Sequence, residues 1–443
     1  MSAAARRDLR ALARLWDVQL RFQDVFGERR EASDEALIGV LGALGAPLER
    51  LDEATSALRA RERQLAGRLC EPVAVAWTGM RHSLAVRVPA RAGDDPITVV
   101  VQTEDGQERV VRKDGGAQPT TTEVLDGGMY LTTHVLLPDD LPHGYHHAVV
   151  SAAGREQAAT IIGAPERPDD PRRKERGWGV FMPAYALRSL RSWGAGDLTD
   201  LRDLLRFVGE RGGSLVATLP LLAAFLDDEP FEPSPYSPVS RLFWNELLID
   251  IEAIPELSAS SDARALIASN EYVSALGKLR ARDSVDYARV YELKRRVLSI
   301  LAQEAFTQNG ARRAGLEDQD GASSQAAEYA RFRAATAKAG PWTSWGDVTR
   351  LAEGDNAMYR LHRYAQAIAA EQIATLDDEN ATLLFDLPLG VHPLGYDAWR
   401  FRDSFAAKAS GGAPPDTFFT KGQNWAFAPL HPERIRETAY TYP

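Results

Sequence analysis

Cysteine is almost missing from this sequence. Cys70 is the single one in 443 residues, so no disulfide can close within the chain, and a cytoplasmic setting is expected. Long hydrophobic runs are missing as well: no window reaches the ~18 uncharged apolar residues of a membrane span. Met1 is followed by small and basic residues and then Asp8, without the apolar stretch of a signal peptide. A basic surplus is also lacking. The 52 basic and 62 acidic residues leave a formal charge of −10, which repels nucleic acid and anionic membranes instead of recruiting them. His146 and His147 have no Cys or second His pair at ligand spacing and read as ordinary strand residues, so no metal is expected. What remains is an ordinary globular balance, 44% hydrophobic and 26% charged, in a chain long enough for two to four domains at ~100–200 residues each.

The hydrophobic period changes along the chain. Leu9, Leu12, Leu15 and Trp16 fall on one helical face, predicting a helix over Leu9–Val18. Ser33 caps a second helix with Leu37, Val40, Leu41 and Leu44, which Gly45-Ala46-Pro47 stops, and a third runs from Glu53 to Leu69. From Pro72 the period is two. Strands are expected around Val73–Trp77 and Leu84–Val88, then at Ile97–Gln102, Arg109–Arg112, Tyr130–Leu137, Tyr145–Ser151 and Gln157–Ile162. Asp105-Gly106, Asp126-Gly127-Gly128, His143-Gly144 and Ala153-Gly154 lie between them, the pattern of an antiparallel β-sandwich. Pro165–Lys174, with three prolines and seven charged residues, reads as a linker. After Trp178 come a strand over Gly179–Tyr185, a helix over Leu198–Gly209 and a strand over Ser214–Leu219. This is a βαβ unit and so a parallel sheet. The segment from Ser258 to Thr375 is largely helical. A third strand, Thr382–Leu387, carries Asp386 at its C-terminal end, where β/α sheets handle ligands.

The most constrained stretch is Glu232-Pro-Ser-Pro-Tyr-Ser-Pro-Val-Ser-Arg241. Pro233, Pro235 and Pro238 fix φ and remove three backbone donors, which excludes helix or central strand. The result is a stiff loop presenting Ser234, Tyr236, Ser237 and Ser240. Aromatic face beside hydroxyls suits a sugar ring, although a plain surface loop has the same composition.

Four separated motifs, in order, carry a resemblance. They are Gly179-Val-Phe-Met-Pro-Ala-Tyr-Ala-Leu-Arg-Ser189 with Trp193-Gly-Ala-Gly-Asp-Leu198; Ser234-Pro-Tyr-Ser-Pro-Val-Ser-Arg241 with Asn245 and Ile249-Asp250; Asp386-Leu-Pro-Leu-Gly-Val391 with Asp397-Ala-Trp399; and Gly412-Ala-Pro-Pro-Asp416 with Gly422-Gln-Asn-Trp425. Together they resemble the 4-α-glucanotransferases, amylomaltase or disproportionating enzyme. The units before Lys174 look like the N-terminal extension of the long bacterial members. The resemblance implies a multidomain chain: a helical unit (1–70), a β-sandwich (71–164), a linker (165–177) and a (β/α)8 TIM-barrel piece (178–443) with a helical insertion at about 258–375. It implies transfer of α-1,4-glucan segments to the 4-hydroxyl of an acceptor, by a retaining mechanism between two carboxyl groups. Substrates would be maltodextrins and maltose, with glucose as acceptor, and carboxylate chemistry of this kind calls for no cofactor. By motif, Tyr236 would lie against the donor sugar, with Ser234 and Asn245 shaping its pocket and Asp386 closing the third strand. Gln423 and Trp425 would belong to a loop shielding the site from water. Asp397 and Trp399 read as capping and packing residues, and Arg188 with Asp197 as a loop-fixing ion pair.

One departure stands out. The family's nucleophile lies on an Arg-Ile-Asp-His-type strand beyond the Gly-Gln-Asn-Trp loop, and no such sequence occurs here. No residue is therefore assigned as nucleophile or acid; Asp250, Asp397 and Asp416 sit in loops with other roles. The expectation is a barrel incomplete at its C-terminus and a chain inactive alone. The alternatives are a non-catalytic α-glucan-binding protein, or one half of a split barrel whose partner is a complementing C-terminal polypeptide.

Overall fold

The computed structural model describes residues 3–114, 121–167, 176–227, 229–307, 312, 315–316, 325–346, 357–376 and 381–442. The linker expected over 165–174 lies mostly outside them. Contacts divide the chain into two units, Met1–Arg173 with Asp403–Pro443, and Lys174–Arg402.

The first unit begins with helix α1 (Ala3–Leu15), which buries Leu9, Leu12 and Ala13. It starts earlier than the apolar period suggests because Ala3–Ala5 are strong helix formers that need no buried face. The polar stretch after it is a short hairpin, β1 (Arg21–Gln23) with β2 (Arg29–Glu31). The Ser33 hydroxyl then caps α2 (Asp34–Ala43) by accepting the Ala36 amide at 3.1 Å, with Asp34 and Glu35 favourably placed in the first turn. Helix α3 (Ala54–Ala66) completes a core of Leu9, Leu12, Leu37, Leu41 and Ala57.

Eight strands follow: β3 (Val73–Trp77), β4 (Ser83–Pro89), β5 (Ile97–Gln102), β6 (Glu108–Lys113), β7 (Thr121–Leu125), β8 (Gly128–Leu136), β9 (Gly144–Ala152) and β10 (Arg155–Ala164). One sheet has the order β3-β10-β9-β5-β6 and the other β4-β8-β7. Their inner faces share one core, Val99, Val101, Val150 and Ile161 from the first against Leu84, Val86, Val88 and Val135 from the second. This is a β-sandwich, with one correction: β3 pairs with β10 in parallel, so the larger sheet is mixed. First and last strands of a sandwich meet in the same direction when the chain crosses sheets between them, which alternation alone does not reveal. Strand β7 was not anticipated; most of its residues are exposed and it lacks a clean apolar alternation. His146 is buried, its Nε2 2.9 Å from the Pro142 carbonyl oxygen and its Nδ1 accepting the Glu104 amide at 3.2 Å.

The second unit holds a three-stranded sheet, β11 (Gly179–Phe181), β12 (Leu215–Thr218) and β13 (Thr382–Phe385), with both pairings parallel. Helix α4 (Leu198–Gly209) crosses between the first two and buries Leu198, Leu201, Leu205 and Val208 against Val216. Asp197 caps it by accepting the Asp200 amide, and Asp200 returns a bond to the Asp197 amide, a reciprocal box that fixes where the helix starts. The expected strand over Gly179–Tyr185 ends at Phe181, because Pro183 opens a turn at Ala184–Ala186. Between β12 and β13 come α5 (Ser261–Ala268), α6 (Asn270–Arg280), α7 (Tyr287–Thr307), α8 (Gln325–Ala339) and α9 (Ala357–Ala374). Their core runs through Tyr272, Val290, Leu293, Val297, Leu301, Leu361, Tyr364 and Ile368. A short helix, α10 (Tyr396–Arg400), places Tyr396 and Trp399 among Phe243, Tyr329 and Phe332.

Residues 403–443 have their contacts in the first unit. There β14 (Gly412–Ala413) and β15 (Gln423–Asn424) form a hairpin, followed by α11 (Pro432–Glu437).

Candidate functional site

The three parallel strands end on the same side, and each feeds a segment that the sequence marked. After β11, the Ala184 amide donates to the Thr218 hydroxyl at 3.1 Å, which ties the Tyr185 turn to the end of β12. Gly196 passes directly beneath this turn; a Cβ there would sit inside the Ala184 carbonyl oxygen and against Leu187, so only glycine permits the approach. After β12 the chain runs through Leu221–Asn245, the proline-rich loop. Its stiffness is reinforced by backbone bonds, Glu232 N–H to Phe225 O at 2.8 Å, Val239 N–H to Ala223 O at 2.7 Å and Asn245 N–H to Leu221 O at 2.8 Å. After β13 comes Asp386.

Tyr236 and Asp386, 150 residues apart, meet here: the Tyr236 hydroxyl donates to Asp386 Oδ2 at 2.7 Å. That hydrogen bond, together with partial burial, raises the phenol above its ordinary pKa. Tyr236 is 50% exposed, so its ring keeps a face for a ligand while its hydroxyl is held. Tyr185 lies within electrostatic reach of Tyr236 and packs edge-on against Tyr287 with ring centroids 5.4 Å apart. Chemistry alone does not mark this pair in the sequence; Tyr185 lies within the first of the four motifs.

Ser234 and Asn245 do local work. Ser234 Oγ accepts the Tyr236 amide at 3.3 Å and its own amide donates to Glu232 Oε1 at 2.9 Å, an arrangement that sets the backbone ahead of Tyr236. Asn245 caps the turn at Glu246–Leu248, its side-chain oxygen accepting the Leu247 amide at 3.0 Å. Asp397 is fully buried and accepts from the Ser240 hydroxyl and the Arg241 amide, holding the far end of the loop. His392 N–H donates to Pro238 O at 2.8 Å. Trp399 is packing in the aromatic cluster.

The loop-fixing ion pair involves a different arginine from the one expected. Arg191, not Arg188, binds Asp197 at 2.8 Å, Asp200 at 2.7 Å and Asp250 at 2.7 Å. Arg188 donates instead to the Gly194 carbonyl at 2.9 Å. Burial alone would lower the Arg191 pKa, but the hydrogen bond and charge of Asp197, then Asp250 and Asp200, raise it. A second buried centre is built from Lys294 and His362, residues that resemble the family's helical insertion, together with Glu246 and Tyr291. Glu246 sits 2.8 Å from His362 Nδ1 and accepts the Tyr291 hydroxyl at 2.8 Å. Nearby, buried Lys294 donates to the Leu247 and Ile249 carbonyls at 2.6 and 2.8 Å, and burial lowers its pKa. These groups brace the turn that Asn245 begins.

Gln423 and Trp425 belong to the first unit. Trp425 Nε1 donates to Gln423 Oε1 at 3.3 Å, its backbone amide donates to Gly411 O at 2.9 Å, and its ring stacks on Phe427 at 6.1 Å between centroids. Trp425 remains 43% exposed. Asp416 accepts the Phe418 and Phe419 amides at 2.8 and 2.6 Å, shaping the tip between the two short strands. Among the described residues no group of three or more His, Cys, Asp or Glu could hold a metal ion.

Comparison with known proteins gives a consistent picture. The family model described as 4-alpha-glucanotransferase matches residues 182–442, and that of the MalQ N-terminal beta sandwich domain matches residues 69–165. The 4-alpha-glucanotransferases of Mycobacterium tuberculosis and Mycobacterium bovis are 30% identical over 470 aligned positions, covering 97% of this chain and 62% of the relative. That of Haemophilus influenzae is 24% identical, covering 69% of this chain and 48% of the relative. Among solved structures, amylomaltase from Corynebacterium glutamicum superposes with a TM-score of 0.82 at 28% identity, over 98% of this chain and 62% of that one. The architecture is thus a β-sandwich joined to an amylomaltase-like fold, and the chain spans 62% of the length of its mycobacterial relatives.

Proposed function

The chain belongs to the 4-alpha-glucanotransferase family, and on that premise we propose that it binds α-1,4-glucans as part of their transfer to the 4-hydroxyl of an acceptor glucan or glucose, with retention at the anomeric carbon. The observation that carries this reading is the Tyr236–Asp386 pair at the C-terminal ends of a parallel sheet. An exposed aromatic face takes the apolar side of a pyranose, and a carboxylate beside it accepts sugar hydroxyls. Ser234 and Asn245 set the loop that presents the ring. Gln423 and Trp425 are proposed as further glucan contacts on their own unit, where the Trp425 ring is 43% exposed.

Retaining exchange requires a nucleophile and an acid about 5–5.5 Å apart. The carboxylates that could substitute are committed elsewhere: Asp250 to Arg191, Asp397 to Ser240 and the Arg241 amide, and Asp416 to its own loop. No residue is assigned to either role, and the 443-residue chain is proposed to bind glucan without turning it over. A second reading is favoured by exposed apolar residues of the parallel sheet, Phe181 (60%) and Leu384 (53%) on one face and Phe385 (45%) on the other. Further strands, on a complementing polypeptide, would bury that surface and close the barrel around the site. The division into 1–70, 71–164, 165–177 and 178–443 is carried as part of this proposal. So is a cytoplasmic site of action, which fits a chain in which no helix of the described residues is long and apolar enough to cross a membrane.

The test is calorimetric titration of the chain with maltoheptaose, alongside chromatographic analysis after incubation with maltotriose. Binding is expected, Tyr236→Ala weakening it about tenfold or more, the equivalent of ~1.4 kcal/mol of lost ring contact. No glucose or longer maltodextrin should form from maltotriose. Absence of binding, or unchanged affinity in both Tyr236→Ala and Asp386→Asn, would refute the assignment.

A further inference from the structure

Helix α9 carries two glutamines, Gln366 and Gln372, six residues apart and so about 9 Å apart along its axis. Each uses its side-chain amide in the same way. Gln366 Oε1 accepts the Trp244 N–H at 2.9 Å while its Nε2 donates to the Trp244 carbonyl at 2.9 Å. Gln372 Oε1 accepts the Asp250 N–H at 2.9 Å while its Nε2 donates to the Asp250 carbonyl at 2.8 Å. A primary amide that exchanges both bonds with one residue makes the pairing that a neighbouring β-strand would make.

The register of the loop shows why Trp244 calls for such a partner. Trp244 faces Leu222 in an isolated antiparallel bridge. The backbone bonds of this ladder lie on either side of it, Ala223 N–H to Phe243 O and Asn245 N–H to Leu221 O, both at 2.8 Å. Leu222 and Trp244 are thus a non-hydrogen-bonded pair, whose own N–H and C=O point out of the ladder. Those of Trp244 point to α9, where Gln366, 5% exposed, stands in for a third strand. The other Nε2 hydrogen of Gln366 goes to Glu246 Oε1 at 3.3 Å, so both amide hydrogens are used and the orientation of the group is fixed. Trp244 in turn joins the two halves of the Tyr236–Asp386 pair. Its backbone lies in the ladder whose other strand, through Ala223 and Phe225, holds Val239 and Glu232 at the two ends of the Tyr236 loop. Its ring centroid is 6.0 Å from that of Phe385, the neighbour of Asp386.

We propose that Gln366 is a positioning residue for the glucan site: by fixing Trp244 it sets the distance at which the Tyr236 hydroxyl meets Asp386. Gln372 grips Asp250 by the same chemistry, but Asp250 belongs to the Arg191 cluster and lies beyond the turn at Glu246–Leu248, so Gln372 provides the control. The link to glucan rests on the proposed function; the link to the Tyr236–Asp386 hydrogen bond does not.

The experiment has two readouts on the 443-residue chain. Without ligand, the Cζ resonance of Tyr236, labelled with carbon-13 and identified by its loss in Tyr236→Phe, reports the hydrogen bond, and Asp386→Ala gives its displaced value. Gln366→Met should move the signal toward that value. Gln372→Met, which removes an equivalent pair of bonds, should leave it in place. With ligand, Gln366→Met should weaken maltoheptaose binding about fivefold in calorimetric titration. It should add nothing to the loss in Tyr236→Ala, because residues that act through one another are not additive. A Tyr236 signal unmoved in Gln366→Met, or moved as far by Gln372→Met, overturns the proposal; so does a loss of affinity that adds in full to that of Tyr236→Ala. If the parent binds no maltoheptaose, the glucan reading fails and the Tyr236 signal alone decides the positioning role. Should Gln366→Met fail to fold, Gln366→Asn, which keeps the amide but draws it back by one methylene, replaces it with the same expected results.

Discussion

Replacing Glu246 by glutamine removes a buried charge while preserving the outline of the side chain, and the effect should vary with pH in a direction that follows from the structure. Glu246 is 4% exposed. Burial by itself would raise its pKa, but the charge and hydrogen bond of His362, the charge of Arg333 and the Tyr291 hydroxyl together hold it down, at about 2 in place of 4.5. A carboxyl whose folded pKa is depressed adds stability that is present above its unfolded pKa and lost as pH falls through the folded value. The drop from 4.5 to about 2 corresponds to ~3 kcal/mol at about 1.4 kcal/mol per pKa unit. Breaking a buried pair by removing one partner costs about 3–5 kcal/mol on independent grounds, so the two routes agree in size. The parent should therefore exceed Glu246→Gln by ~3 kcal/mol near neutral pH, and the gap should close between about pH 5 and about pH 2. The assay is urea unfolding across that range, read by hydrogen exchange in peptides from Tyr287–Thr307 and Ala357–Ala374, the helices that hold Tyr291 and His362. A gap that stays constant from neutral to acid pH would refute the reasoning, because it would show that the substitution acts through packing and not through the charge.

Three further outcomes are expected. Arg191→Ala leaves Asp197, Asp200 and Asp250 without their shared cation and should cost about 2–3 kcal/mol, with partial recovery in acid because burial and the neighbouring Asp197 already raise the Asp200 pKa; thermal unfolding at two pH values measures it. Cys70 is buried and burial pushes its thiol up to about 11, so iodoacetamide at mildly alkaline pH should label it only after denaturation, with mass spectrometry as readout. Asp397→Asn should release the end of the proline-rich loop, since the Ser240 hydroxyl and the Arg241 amide both donate to this buried carboxylate; the expected result is a loss of about 1–3 kcal/mol together with weaker maltoheptaose binding, and an unchanged affinity would show that the loop holds its shape without it.

Regular elements were legible wherever the hydrophobic period had no rival. The helix Leu198–Gly209 and the strand Ile97–Gln102 have the bounds that periodicity suggests, because caps and turn residues stop them abruptly. Strand Thr121–Leu125 escaped because its partner Gly128–Leu136, not its own pattern, determines it. The parallel pairing of Val73–Trp77 with Arg155–Ala164 is a property of the path between them and leaves no trace in either strand. Arg191 and Arg188 have the same composition around them; only the turn through Gly194 and Gly196 decides which guanidinium reaches Asp197. The meeting of Tyr236 with Asp386 came from an ordered set of motifs and could not have come from spacing, since the two lie 150 positions apart with five helices of the described residues between them.

The acidic residues near the ends of the parallel strands divide by what they bind. Asp197, Asp200 and Asp250 answer one guanidinium; Glu246 answers a histidine and a phenol; Asp397 answers a hydroxyl and a backbone amide in a fully buried place. Each of these is buried and holds a local turn or helix end through its partners. Asp386 is half-buried and rests on the hydroxyl of a half-exposed tyrosine. A carboxylate held by a neutral donor on one oxygen is positioned without being neutralised by a cation, and its second oxygen can meet a ligand hydroxyl. That difference in partner, more than any difference in position along the chain, is why the proposed glucan contact falls on Asp386 while the other carboxylates hold the architecture.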